Sequence, residues 1–224
     1  MQIAIDGPSG SGKSTVAKLL AGRLGFVHID TGGMYRAVAL YAQEQGADWD
    51  VQDAVCGILN DIEIDIQYAE SGQRIVLNGR DVTAQVRTAE MGVGASKVSV
   101  HPAVRDKLVA MQRELAAGRS VIMDGRDVGT VVLADADVKI FLTAAVDVRA
   151  RRRCSELDAL GLPYDYDEIY KQIERRDYDD STREHSPLTM AADAVELDAG
   201  GLDAEGVVAV IMEMVRKCSL YTRE

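Results

Sequence analysis

The hydrophobic positions along the chain follow two patterns, one typical of buried strands and one typical of helices. Continuous apolar runs predict five short strands, at "IAID", "FVHID", "SVIMD", "VKIFLTA" and "AVELD". Helical spacing follows the first run, where Val16, Leu19, Leu20 and Leu24 share one face. Strands that alternate with helices predict an α/β fold, with a five-stranded parallel sheet flanked by helices.

Further helices are predicted between and after these strands. Thr31 is placed to cap a helix that ends near Gly46, and a short helix fits residues 51–59. The segments "TAEMGVGASKVSV" and "PAVRDKLVAMQRELAAG" predict two more helices, and others begin at Asp147, Tyr166 and Ala204.

The pattern changes at Ile62. The run "IEIDIQ" alternates, and an Asn-Gly pair in "GQRIVLNGRDVT" separates two short β-prone pieces. Both features indicate antiparallel strands joined by a tight turn. They predict a small β insertion from Ile62 to Val86 that interrupts the α/β pattern.

Aspartates lie at or just after the ends of four predicted strands, at Asp6, Asp30, Asp124 and Asp198. Ligands of open α/β sheets bind beyond the carboxyl ends of the strands. We therefore expect one crevice to collect these carboxylates. Asp124 has two interpretations, as a group that orders a metal-bound water or as a structural partner of the adjacent loop.

Composition indicates a globular protein without general affinity for polyanions. Nearly half of the 224 residues are apolar and the net charge is −11, which argues against nucleic acid or a membrane surface as a partner. The sequence shows neither a signal-peptide pattern nor an apolar run that could cross a bilayer, so we expect a cytoplasmic protein. Three separated cysteines indicate reduced thiols, and His28, His101 and His185 are expected to have packing or loop roles.

Arginine is concentrated late in the chain. It outnumbers lysine 18 to 7, and seven arginines lie between Arg149 and Arg183. A guanidinium fork suits phosphate, so this cluster favours a small, highly charged ligand. A solvated helix face with ion pairs is the alternative.

The segment "GPSGSGKS", residues 7–14, fits G-x-x-x-x-G-K-[ST], with a predicted strand before it and a predicted helix after it. In this motif backbone N–H groups surround phosphate oxygens, the lysine reaches the outer phosphates and the final hydroxyl ligates Mg²⁺. It predicts a P-loop NTPase fold with Ser14 as the metal ligand. The nucleotide-binding residues are Gly7, Pro8, Ser9, Gly10, Ser11, Gly12, Lys13, Ser14 and Thr15.

A P-loop alone does not separate a kinase from a GTPase switch or an ATP-driven machine. The guanine-reading Asn-Lys-x-Asp motif is absent from the sequence, and the chain is small for a motor. A small chain with an insertion and many arginines favours a kinase whose phosphoryl acceptor is itself anionic.

Two further charge groupings are candidates for acceptor binding. Arg126 and Asp127 stand between two glycines directly after a buried run, where the two charges either hold a ligand or form a structural ion pair. Arg176, Asp180 and Arg183 are spaced to share one helical stripe, which a surface ion-pair ladder would also explain.

The helix that follows "VKIFLTA" places Arg149, Arg152 and Arg153 at i, i+3 and i+4. A mobile segment here would bring guanidinium groups to the transferring phosphoryl group and exclude water. We predict that Arg152 or Arg153 points inward. A basic surface helix for nucleic acid is the competing interpretation.

The motifs "IDGPSGSGKST", "DTGGMYR", "VRTAE", "DGRDVGT" and "RRDYDDSTRE" resemble, in order and approximate spacing, those of bacterial cytidylate kinases. The resemblance covers essentially the whole chain. It implies one P-loop kinase domain over residues 1–224, with an inserted NMP-binding subdomain at about 62–103 and a lid at about 152–168. It also implies a monomer that uses ATP and Mg²⁺ to phosphorylate CMP or dCMP.

Residue roles follow from the same resemblance. It implies that Lys13, Arg126, Arg183 and the lid residues Arg152 and Arg153 are catalytic. It assigns the acceptor phosphate to Arg36, Arg126 and Arg183, the cytosine to Ser96, Arg105 and Asp127, and the sugar to Arg176 and Asp180. Thr31 stands where the family has Ser or Thr. The segment "LDAGGL" departs from the family's "LDST".

The chemistry of cytosine is consistent with these roles. Cytosine presents an amino donor at N4 beside acceptors at N3 and O2, which a carboxylate and a guanidinium complement, whereas uracil reverses the donor pattern. Two rivals share the P-loop: a kinase for another small acceptor such as UMP, AMP or shikimate, and a non-catalytic nucleotide sensor.

Overall fold

The structure is a computed structural model that describes residues 1–69 and 72–221. The chain forms two compact units, one made of Met1–His28 with Gly118–Glu224 and the other of Ile29–Ala117. The predicted NMP-binding subdomain at about 62–103 falls within the second unit, although its positions 70 and 71 lie outside the described residues. No described helix is both long enough and apolar enough to span a bilayer.

The first unit is built on a parallel sheet whose strands follow the order β2-β6-β1-β7-β8. Its register pairs Ile5 with Asp124 and with Ile140, which sets the ends of β1, β6 and β7 side by side. The elements are β1 (Gln2–Asp6), α1 (Lys13–Leu24), β2 (Val27–Asp30, which continues into the second unit), β6 (Val121–Gly125), β7 (Val138–Thr143), α6 (Val146–Ala159), α7 (Tyr166–Thr182), β8 (Val195–Asp198) and α8 (Ala204–Tyr221).

Two hydrophobic clusters among the described residues stabilise this unit. In the larger one, β1 and β7 pack against α1 and α8, with Ile3, Ile5, Leu20 and Leu142 fully buried. A smaller cluster joins α6 to α7 through Ala150, Cys154 and Ile169. The small cluster fixes these two helices against each other because each contributes an apolar stripe.

The second unit combines helices with an antiparallel sheet in the order β3-β4-β5. Ile66 lies opposite Ile75, and the Asn78-Gly79 turn joins β4 to β5 with positive φ at both residues. That geometry confirms the predicted Asn-Gly turn. The elements are α2 (Thr31–Glu44), α3 (Gln52–Ile58), β3 (Ile64–Ala69), β4 (Gly72–Leu77), β5 (Arg80–Asp81), α4 (Ala89–Val98) and α5 (Pro102–Ala116).

The start of α2 differs from the expectation that Thr31 caps it. Asp30 is the N-cap, and its Oδ1 accepts a hydrogen bond from the Gly33 N–H at 3.0 Å. Thr31 is instead the first helical residue and is buried. An Asp side chain at the N-cap satisfies one of the free N–H groups of the first turn, which explains why Asp30 can cap α2 in place of Thr31.

A π-helical turn at Val128–Val132 follows β6 and was not predicted. The carboxylate of Asp6 accepts the N–H groups of Val128 and Gly129 at 2.8 and 2.7 Å, so it fixes the beginning of this turn. Burial raises the pKa of Asp6 to about 6, and the two backbone hydrogen bonds oppose that rise. Asp127, which is 6% exposed, therefore precedes a turn held by a strand-end carboxylate.

Candidate functional site

A glycine-rich loop joins β1 to α1 and forms an anion cradle. Gly7, Gly10 and Gly12 have φ values of 147°, 76° and 97°, which residues with a side chain rarely adopt. Gly12 is the N-cap of α1 and supplies no side-chain cap. The first N–H groups of α1 are therefore available to an anion, and the positive end of the helix dipole lies at the same point.

The loop passes very close to β7. A Cβ on Gly7 would lie 2.0 Å from the carbonyl oxygen of Leu142, at a φ that already disfavours a side chain. We expect Gly7→Ala to lower the free energy of unfolding by about 3 kcal/mol, from strain and overpacking together, as measured by urea denaturation.

Gly22→Ala is the matched control for that substitution. Gly22 is inside α1 and a Cβ there meets nothing within 4 Å. Alanine is the better helix former, so this variant should gain up to about 1 kcal/mol. Equal stability of the two variants would contradict the close approach of the loop to β7.

Lys13 lies folded back over the cradle and is 6% exposed. Its Nζ donates to the carbonyl oxygen of Pro8 at 2.6 Å and to Ser11 Oγ at 3.4 Å. Burial, and then the charge of Arg126, lower the pKa of Lys13 well below its ordinary value, while Asp124 and Asp6 act in the opposite direction. The ammonium group can exchange the Pro8 carbonyl for a phosphate oxygen without leaving the loop.

Ser14, Asp124 and His28 form a hydrogen-bonded chain. Ser14 Oγ donates to Asp124 Oδ2 at 2.6 Å, and His28 Nε2 lies 2.7 Å from Asp124 Oδ1. Burial raises the pKa of Asp124, but the hydrogen bonds from His28 and Ser14 and the charge of Lys13 outweigh it and hold that pKa below its ordinary value. Asp124 is thus a buried carboxylate with a polar contact at each oxygen.

This donor set fits Mg²⁺ in the manner of nucleotide sites. A hydroxyl and a nearby carboxylate are hard oxygen ligands, and Mg²⁺ keeps several waters and takes the rest of its ligands from phosphates. Within residues 1–69 and 72–221 no group of three His, Cys, Asp or Glu side chains could hold a metal ion alone.

Asp198 makes a local contact at the end of β8. It is exposed, and its Oδ1 accepts the N–H of Gly200 at 2.7 Å in the turn after that strand. Asp30 caps α2, as described above. The expectation that one crevice collects all four strand-end carboxylates stays a prediction.

Arg149 supports the phosphate cradle from α6. Its guanidinium forms a bidentate pair with Asp177 of α7 at 3.0 and 2.6 Å, and also donates to the carbonyl oxygens of Ala144 and Ser9. The side chain is almost fully buried. The sequence analysis grouped Arg149 with Arg152 and Arg153 in the arginine-rich segment but did not predict this supporting role.

The structure distinguishes Arg152 from Arg153. Arg152 donates to the carbonyl oxygens of Ser11 at 3.2 Å and Ala199 at 2.6 Å, so it points toward the cradle. Arg153 pairs with Glu156 on an exposed face. The prediction that one of the two points inward is confirmed for Arg152.

The end of α7 carries a second cluster of charges. Arg126 Nε donates to Asp180 Oδ2 at 2.7 Å, and Arg183 Nη1 lies 4.0 Å from Asp180 Oδ1. Burial raises the pKa of Asp180, but the charges of Arg126, Arg176 and Arg183 and the hydrogen bond from Arg126 hold it below its ordinary value. Arg176 and Asp180 share the predicted stripe, and Arg183 is the residue that ends the helix.

In the second unit, Arg36 and Thr31 lie on the first turns of α2. Arg36 Nη1 donates to the carbonyl oxygen of Val86 at 3.1 Å and is 3.5 Å from that of Thr88. The guanidinium is therefore held beside the segment that joins the small sheet to α4.

Arg105 is one of the two residues of this unit, with Ser96, that are predicted to contact cytosine. It is 4% exposed, its Nη1 donates to the carbonyl oxygen of Ser99 at 3.3 Å, and its guanidinium lies 5.5 Å above the ring of Tyr35. Ser96 on α4 donates to the carbonyl oxygen of Gly92 at 3.3 Å. A cation over an aromatic face is stabilised in a fixed orientation.

The predicted residues therefore divide between the units. The first contains the cradle residues 7–15 with Arg126, Asp127, Arg152, Arg153, Arg176, Asp180 and Arg183; the second contains Thr31, Arg36, Ser96 and Arg105. The parallel sheet, the glycine cradle and Lys13 define the first unit as a P-loop NTPase fold.

Comparison with known proteins identifies the family within this class. The cytidylate kinase family model matches residues 3–217. The chain is 46% identical over 217 residues to a cytidylate kinase of Lactobacillus johnsonii, which covers 97% of this chain and 94% of that one. It is 49% identical over 215 residues to a cytidylate kinase of Geobacillus thermodenitrificans, which covers 96% of each. The chain belongs to the cytidylate kinase family.

A solved structure supports the fold alone. The crystal structure of an uncharacterized protein from Eubacterium ventriosum aligns with a TM-score of 0.54 at 13% sequence identity. The alignment covers 96% of this chain and 98% of that one.

Proposed function

We propose that this protein is a cytidylate kinase that transfers the γ-phosphoryl group of ATP to CMP or dCMP in the presence of Mg²⁺. The products are ADP and CDP or dCDP. The observation that carries this proposal is the family match over residues 3–217, which includes both the cradle and the predicted acceptor residues. The close relatives named cytidylate kinase support the same activity.

The chemistry is an in-line displacement at phosphorus. The nucleophile is a phosphate oxygen of the acceptor, which is already an anion near neutral pH, so no general base is required. The task of the protein is positioning and charge neutralisation. Ser14 would hold Mg²⁺, which would supply charge stabilisation to the phosphates.

Three positive side chains of the first unit are proposed to act on the transferring group. The Lys13 ammonium group would donate hydrogen bonds to the outer phosphates in place of the Pro8 carbonyl oxygen. Arg126 and Arg152 bring guanidinium groups from the end of β6 and from α6. Arg153 is paired with Glu156 on an exposed face, so we propose a smaller role at the transferring group for Arg153 than for Arg152.

Acceptor recognition is proposed for the residues that match the family. Arg36, Arg126 and Arg183 would hold the phosphate. Ser96, Arg105 and Asp127 would contact the cytosine, and Arg176 and Asp180 the sugar, with Thr31 nearby on α2. Asp180 already orients Arg126 and is held ionised by its arginine neighbours, which suits a group that must accept hydroxyl hydrogen bonds.

We also propose the remaining organisation from the family. Residues at about 62–103 would form the NMP-binding subdomain and those at about 152–168 the lid, which begins in the middle of α6 and ends early in α7. The protein would act as a cytoplasmic monomer.

An ADP-release assay with ATP and Mg²⁺ tests the activity. Turnover is compared with CMP, dCMP, UMP, AMP and no acceptor. We expect strong turnover with CMP and dCMP and little with AMP or without acceptor, because a site that hydrogen-bonds one base rejects another that leaves its polar groups unpaired. Equal rates with every acceptor, or turnover with none, would refute the proposal.

A further inference from the structure

His28 is a buried polar residue in the middle of β2 that the proposed mechanism does not use. It is 6% exposed, and the residue after it, Ile29, is fully buried. Burying an imidazole without a hydrogen bond is costly. The contact of Nε2 with Asp124 Oδ1 at 2.7 Å offsets that cost. An ionised carboxylate can only accept, so Nε2 must carry the proton.

The contact with His28 restricts the orientation of the Asp124 carboxylate. A carboxylate turns about a broad, roughly two-fold χ2 torsion, so one hydrogen bond does not fix its plane. Here Oδ1 is held by His28 and Oδ2 by Ser14, at 2.7 and 2.6 Å. With both oxygens engaged, the carboxylate presents Oδ2 to the Ser14 hydroxyl in one orientation.

The orientation of the Ser14 hydroxyl follows in turn. A hydroxyl has one hydrogen and two lone pairs. Because the hydrogen is directed to Asp124, the lone pairs face away from it and are available to a cation. If the hydroxyl rotated, its hydrogen would compete for that direction.

We propose that His28 is a positioning residue that locks Asp124 and thereby orients the Ser14 hydroxyl toward the Mg²⁺ of a bound nucleotide. This inference rests on the nucleotide-binding half of the proposed function and is independent of the acceptor. Partners one step behind a metal ligand orient it in the same way elsewhere, and their loss costs about 10- to 100-fold in metal affinity.

The test uses two substitutions of nearly equal shape. His28→Gln retains an N–H donor at about the distance of Nε2, and His28→Met replaces it with an apolar chain of similar length. The affinity of a fluorescent ADP analogue is measured with Mg²⁺ and with EDTA for each full-length protein. The ratio of the two affinities isolates the contribution of the metal.

We expect His28→Met to reduce this ratio about tenfold or more and His28→Gln to restore it to within about threefold of the wild type. A merely structural role would lower the melting temperature and shift both affinities together. An unchanged ratio in His28→Met would therefore overturn the proposal, and so would an equal loss in both variants.

A third variant covers the case in which His28→Met does not fold. His28→Asn keeps a polar side chain but is too short to bring its amide to Asp124, so it should also lower the ratio of the affinities measured with Mg²⁺ and with EDTA. A wild-type ratio in His28→Asn would refute the proposed positioning role of His28. If the wild type shows no CMP-dependent turnover, the proposed function fails, while the ADP comparison still decides the role of His28.

Discussion

Lys13→Met is expected to lower the rate of phosphoryl transfer on the order of a thousandfold. The charge that develops on the transferring phosphoryl group is stabilised by fixed cations, and Lys13 is a buried cation of the cradle itself. Its Nζ is held by the Pro8 carbonyl at 2.6 Å, so it is placed before the nucleotide arrives. The rate is measured as ADP release with saturating CMP and ATP.

The same substitution should leave stability nearly unchanged. The Lys13 ammonium is buried and its pKa is depressed chiefly by that burial, so the charged form costs free energy in the folded protein. Methionine keeps the length and removes the charge, which offsets the loss of the Pro8 hydrogen bond. We therefore expect a melting temperature within a few degrees of the wild type.

Lys18→Met is the matched control. Lys18 lies on the exposed side of α1, five residues after Lys13, and the same change there should alter neither rate nor melting temperature. Near-normal turnover in Lys13→Met would contradict the proposed use of the cradle. A comparable loss in Lys18→Met would mean that the effect comes from the helix and not from the site.

The sequence predicted the elements well because they depend on local patterns. The five apolar runs became β1, β2, β6, β7 and β8, and each predicted helix is present. The Asn78-Gly79 turn was also predictable, since its positive φ values suit those two residues. The order of the strands in the sheet could not be predicted in this way. It depends on which crossover connections bury the most apolar surface, and local sequence patterns do not encode that choice.

The candidate site was predictable where a motif repeats a known geometry. The cradle and Lys13 belong to one continuous segment. Arg149 and His28 were missed because their partners are distant in sequence, at Asp177 and Asp124. A buried polar residue cannot be distinguished from an ordinary core residue until its partner is known.

Asp127 is expected to determine the preference for cytosine over uracil. A carboxylate accepts a hydrogen bond from the N4 amino group of cytosine. Opposite uracil it would face the O4 atom, so two hydrogen-bond acceptors would lie against each other without a donor. Asp127 is 6% exposed and begins a turn fixed by Asp6, so it cannot easily turn away from the wrong base. A buried unpaired group of this kind discriminates strongly.

Asp127→Asn should therefore lower the ratio of kcat/KM for CMP to that for UMP on the order of a hundredfold. The asparagine amide can present either its oxygen or its NH₂ group, so it can pair with either base. Asp135→Asn, the same change at an exposed position after the π-helical turn, serves as the control and should leave the ratio unaltered. If Asp127→Asn lowers both kcat/KM values equally, Asp127 holds the turn and does not read the base. A selective fall for CMP would show that one buried carboxylate sets the choice of nucleotide.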